Sequence, residues 1–160
     1  MEIPMRKALP LRIALVANAL FSATTGVVLC LESARVAEHL RAVPPPLLVG
    51  IGFSLLVFAF IVALVARRPS PANGLLISAL DIVWVAITVP LALFWDALAP
   101  SGAQTVLWVA AIVGSLAALQ MFSVRLMMRS IDPERGIYRH CVRVHADAPA
   151  DAMWQIVSDL

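Results

Sequence analysis

The chain has 160 residues, 61% of them hydrophobic, with a mean hydropathy of +0.91. A soluble domain is nearer to about 45–50% apolar, so this composition excludes an ordinary soluble protein and indicates an integral membrane protein. The formal net charge of +2 is too small to argue for a nucleic-acid partner, and the two cysteines, Cys30 and Cys141, form no CxxC, so neither a disulfide framework nor a redox pair is indicated.

Residues 1–12 are short and basic, with Arg6, Lys7 and Arg12. The first apolar run is 13–31, too long for the core of a cleaved signal peptide and followed by three more runs, so it reads as a retained span. The next stretch, 32–46, places Val36, Leu40 and Val43 on one helical face, with Glu32, Arg35, Glu38 and Arg41 elsewhere. That pattern suits a short helix at the membrane interface or an ordinary solvated loop, ended by Pro44-Pro45-Pro46. Span two is 47–66. The segment 67–74, RRPSPANG, is a short turn-like loop. Span three is 75–95, and the third loop, 96–104, carries the turn signal Pro100-Ser101-Gly102. Span four is 105–124. At about 1.5 Å per residue, some twenty residues cover the roughly 30 Å hydrocarbon core. All four runs fit, and short connections favour an antiparallel up-down four-helix transmembrane bundle occupying 1–129.

Basic residues set the expected orientation. Arg6, Lys7 and Arg12 precede span one, Arg67 and Arg68 separate spans two and three, and Arg125 and Arg129 follow span four. Arg35 and Arg41 on the opposite side are balanced by Glu32 and Glu38, and the third loop has no Lys or Arg. Both termini are therefore expected in the cytoplasm. Eleven arginines against the single Lys7, with abundant Ala, Val and Pro, suit a GC-rich coding sequence and hence a bacterial inner (plasma) membrane.

Asp81 is the only acid or base deep inside any of the four runs. Ser78, Asp81, Val85, Thr88 and Ala92 share one helical face of span three, and Asn18, Ser22 and Thr25 share one face of span one. Asn18 and Asp81 each lie about six residues inside the same end of the bundle, and Gln120 lies about one turn inside that end of span four. Asn18, Ser78, Asp81 and Gln120 are thus expected in one intramembrane layer. An acid in the bilayer costs roughly 2.5–3.5 kcal/mol on insertion scales, so Asp81 should face the bundle interior, protonated or hydrogen-bonded. Two roles compete: a proton or cation site, and a polar clasp that fixes helix packing. With no second titratable group at its depth, the clasp is the stronger reading.

The remaining features read as structure. Ala110, Gly114, Ala117 and Met121 form a small-residue stripe on span four, and Gly50 with Ser54 and Ser22 with Gly26 supply small-xxx-small pairs for close helix approach. Pro90 is expected to kink span three. Trp84 is a mid-span packing residue, whereas Trp95 and Trp108 suit an interfacial belt. His39, His140 and His145 make no convincing metal set, because His140 and His145 would point to opposite faces of a strand. No cofactor, metal or catalytic residue is indicated.

After the linker 130–136 the character changes. Residues 137–145, IYRHCVRVH, suit a strand, and 146–160, ADAPADAMWQIVSDL, place Met153, Ile156, Val157 and Leu160 on one helical stripe behind Pro149. Through Val142, Val144, Ala148, Pro149, Trp154, Ser158 and Asp159, this segment resembles the opening of the START-like (polyketide cyclase/SRPBCC) superfamily. The resemblance covers 137–160 and implies the first strand and helix of an α+β helix-grip domain that encloses lipids or other apolar ligands. One strand and one helix cannot close such a cavity, so the segment is expected to be incomplete. The four spans are broadly similar in size to small bacterial membrane proteins of the DoxX-like kind.

The leading expectation is a membrane protein that anchors a cytoplasmic START-like domain for an apolar small molecule, with the lipid bilayer as its other partner. The alternatives are a small ion-coupled carrier using Asp81, acting as a homo-oligomer, and a structural membrane subunit.

Overall fold

A computed structural model describes residues 5–129 of the protein. They form five helices: α1 (Met5–Leu31), α2 (Ser33–Leu40), α3 (Pro45–Arg67), α4 (Pro71–Phe94) and α5 (Pro100–Arg129). All but α2 are long and apolar enough to cross a membrane. Their outward faces are hydrophobic: Phe53, Phe60, Ile87, Leu93 and Phe122 are each more than half exposed. In water this surface would drive aggregation, whereas in a bilayer it is the solvent-matched side. Among the described residues the architecture is an all-helical bundle of membrane-spanning length. The segments expected at 130–136 and 137–160, with the residues that carry the START-like resemblance, lie outside the described residues.

The helices run past the apolar runs, and the reason is capping. Pro45 and Pro71 sit in the first turns of α3 and α4, and Pro100 opens α5, where a missing N–H costs nothing and the fixed φ favours the helix. Ser70 caps α4 by accepting a hydrogen bond from the Asn73 backbone N–H at 3.2 Å. The expected loops 67–74 and 96–104 therefore shrink, since Pro71–Gly74 and Pro100–Gln104 are already helical. The short helix expected between spans one and two is present, but the proline triplet does not end it. Arg41 adopts a left-handed conformation (φ 64°), and its N–H closes on the Ala37 carbonyl at 2.7 Å, so Val43 lies beyond the helix. α2 is docked on the start of α5: the Ala99 N–H donates to the Leu40 carbonyl at 3.1 Å, and His39 Nε2 lies 2.9 Å from Thr105 Oγ1.

Around the bundle the neighbours are α3–α1–α5–α4. α1 packs most closely on α3, α4 packs on α5, and α1 joins the two pairs through α5. Although a short turn connects α3 and α4, they barely touch. The α1–α3 crossing is made by Gly26 and Gly52. A Cβ on either would stand 2.8 Å from the other's carbonyl oxygen, closer than atoms can sit without movement. Gly50 with Ser54, expected to permit close helix approach, is not at this crossing. Both residues are exposed, and a Cβ on Gly50 would meet nothing within 4 Å. The α3 sequence is apolar all round, so only packing fixes which side turns inward. Ala110 and Ala117 of the α5 stripe are buried as expected.

The two ends of the bundle differ. Toward the end where α1 begins and α5 finishes, Leu11, Leu15, Ala19, Val62, Ala66, Ile77, Val124 and Met127 form a closed apolar core. Toward the end covered by α2, residues of α1, α3, α4 and α5 line a cavity of about 630 Å³.

Candidate functional site

The polar layer forms at the boundary between the closed and open halves. α1 supplies Asn18 and Ser22 one turn apart on its inner face, α4 supplies Ser78 and Asp81, and α5 supplies Gln120. All five are buried, and Asp81 is only 4% exposed. Asp81 Oδ2 accepts hydrogen bonds from Asn18 Nδ2 at 2.7 Å and Gln120 Nε2 at 3.3 Å. Each of these amides is in turn oriented by a serine. Ser22 Oγ donates to Asn18 Oδ1 at 3.3 Å, and Ser78 Oγ lies 3.2 Å from Gln120 Oε1. The Ser78 hydroxyl proton is shared with the Gly74 carbonyl at 2.9 Å. An amide has a donor end and an acceptor end. By occupying the acceptor ends, the serines turn both donor ends toward one carboxyl oxygen.

The four residues expected to share a layer, Asn18, Ser78, Asp81 and Gln120, are thus one hydrogen-bonded network across three helices. Ser22, read from sequence as half of a small-residue pair, is the fifth member; its i, i+4 spacing from Asn18 was the signal. The expected inward face of α4 holds throughout: Val85 and Thr88 are half-buried and Ala92 is buried. No buried Lys, Arg or His accompanies Asp81 among the described residues.

Asp81 also forms part of the cavity wall. Among the described residues its Oδ1 accepts no hydrogen bond, yet no fully buried side-chain polar atom lacks a partner. Oδ1 is therefore open to the cavity that Asp81 lines. The rest of the wall is mostly apolar and includes the rings of Phe21, Phe58 and Trp84. Trp84, expected to be a packing residue, is half-buried and belongs to this wall, on the side of α4 that faces α3 across the cavity. Trp95 and Trp108 are exposed, as residues of an interfacial belt are.

The chemistry available is hydrogen bonding and charge pairing at one carboxyl. Among the described residues no group of three or more His, Cys, Asp or Glu side chains could hold a metal ion. Cys30 is a free thiol 3.8 Å from the Val49 carbonyl, and Cys141, His140 and His145 lie outside the described residues. Comparison of the chain with models of known families, with functionally characterised proteins and with solved structures finds no match.

Proposed function

We propose that the protein is a membrane anchor. Its four-helix bundle, held by the Asp81 layer, keeps residues 137–160, the start of a START-like domain for apolar ligands, at the cytoplasmic face of a bacterial inner membrane. The observation that supports the anchoring role is that the polar layer ties three helices together: each of its five side chains bonds to another member. That is the arrangement of a packing clasp, in which polar groups find partners across helices instead of in lipid. A coupled carrier needs a route onward for its proton, and no second acid or base stands beside Asp81 among the described residues. The orientation draws support from the positions of Arg12, Arg67, Arg68 and Arg125, which fall toward one end of the bundle.

Two measurements test this. The coding sequence is expected to continue past codon 160 for on the order of 100 residues, a domain's worth of chain; a stop codon at that point overturns the ligand-binding half. Reporter fusions at residues 70 and 100 are expected to give a cytoplasmic signal at 70 and an extracytoplasmic one at 100. The opposite pattern overturns the orientation.

A further inference from the structure

The bundle contains a cavity that the anchoring role does not use. We propose that the cleft between α3 and α4 is a binding site for a lipophilic amine, an apolar body carrying one ammonium group, with the ammonium at Asp81 Oδ1. This inference does not depend on the START-like reading of residues 137–160 and requires no transport.

Four observations converge on it. First, the cleft holds about 630 Å³, within the roughly 300–1,000 Å³ range of small-molecule sites. Second, its floor carries one acceptor of unmet capacity. The two amides both take Asp81 Oδ2, while Oδ1 of this 96%-buried side chain (4% exposed) has no partner among the described residues. A carboxyl oxygen in an apolar cavity calls for a donor, and an ammonium supplies both the donor and the opposite charge. Third, Phe21, Phe58 and Trp84 line the same cavity, and aromatic faces attract a cation while accepting an apolar body. Fourth, among the described residues no Lys, Arg or His lines the cleft, so they supply no competing cation. The remaining wall is aliphatic apart from the hydroxyls of Ser22, Thr25 and Ser54. This matches a ligand that is polar at one point only.

The cleft has a natural competitor in the acyl chain of a bilayer lipid, which would fill the apolar walls and ignore Asp81. The experiment separates the two. The full chain is reconstituted in phosphatidylcholine nanodiscs, and binding of radiolabelled dodecylamine is measured against empty discs, with dodecanol as the uncharged probe of equal length. The expected result is saturable binding of dodecylamine near one per chain, with dodecanol weaker by roughly tenfold or more. Asp81→Asn is expected to weaken dodecylamine by a similar factor and to leave dodecanol unchanged. Because Asp81→Asn also alters the polar layer, Gly50→Phe provides a second variant. Gly50 lines the cleft with open space around its Cα, so the ring fills the cavity while the network stays intact. It is expected to abolish saturable binding of dodecylamine. Equal affinity for amine and alcohol identifies a lipid-chain cleft and overturns the proposal. So does binding no greater than that of empty discs, or full binding by Gly50→Phe.

Discussion

Asn18→Leu is expected to lower the free energy of unfolding by roughly 1–3 kcal/mol, the cost of leaving a buried polar group without its main partner. The change is nearly isosteric, so packing is not the source. What is lost is the shorter of the two hydrogen bonds to Asp81, 2.7 Å against 3.3 Å from Gln120. Interhelical hydrogen bonds within membranes average only about 0.6 kcal/mol and reach about 1.7, so the bond alone does not account for the upper end of the range. The remainder comes from the acid, which stays in an apolar interior with one weak donor. Ser78→Ala should cost less, on the order of 0.6 kcal/mol, because Gln120 keeps its bond to Asp81 and loses only its orienting hydroxyl. The triple variant Asn18→Leu/Asp81→Leu/Gln120→Leu is expected to recover most of the loss, since it replaces the carboxyl and both amides that donate to it by apolar groups, which is close to neutral. Denaturant titration in detergent micelles measures all three. An Asn18→Leu curve overlapping the wild type would remove the clasp as the bundle's organising contact.

Much of this arrangement was legible in the sequence, for reasons that can be located. Four apolar runs of span length, broken by Arg, Pro and Gly, give four helices because the bilayer fixes their length. Three members of the polar layer followed from depth, Ser78 from sharing a helical face with Asp81, and Ser22 only from its spacing to Asn18. Asn18, Asp81 and Gln120 lie at similar distances from one end of the bundle, and polar side chains in lipid must find one another. The helix ends were less legible because proline both breaks a helix and starts one. The sequence reads Pro71 and Pro100 as loop residues, although Ser70 before the first of them is a capping residue. The rotation of α3 could not be read at all. With a single Ser54 among apolar residues on every side, nothing in the sequence decides whether Gly50 or Gly52 meets α1. The cleft depends on that same rotation, so Phe21, Phe58 and Trp84 gave no sign of sharing a wall. The resemblance in residues 137–160 is a separate matter, since it lies outside the described residues.

The contrast between the closed and open halves leads to the second large effect. Leu15→Ala is expected to destabilise the bundle by about 2 kcal/mol, near the lower bound of the roughly 2–5 kcal/mol seen for buried Leu→Ala changes in soluble proteins. Leu15 is wholly buried in the core formed with Leu11, Val62, Ile77 and Val124. In water such a change forfeits both the transfer of the side chain out of solvent and its packing contacts. In a bilayer the separated helix keeps Leu15 in hydrocarbon, so the transfer part largely drops out. The packing part remains, because neighbours around a new void lose their contacts. The same argument makes Leu55→Ala a sensitive control. Leu55 is only half-buried and already borders the 630 Å³ cavity, so truncating it enlarges an existing space and removes few contacts. Its cost should stay under about 1 kcal/mol. Denaturant titrations of the two variants, run side by side, compare the two halves directly. If Leu55→Ala costs as much as Leu15→Ala, the α3–α4 cleft is closed in the membrane and the two halves are equally packed. The ordering expected here, with Leu15 dominant, instead assigns the cohesion of the bundle to the half where α1 begins and α5 finishes. It leaves the α2-covered half, with an Asp81 oxygen at its floor that has no partner among the described residues, free to admit a guest without loosening the fold.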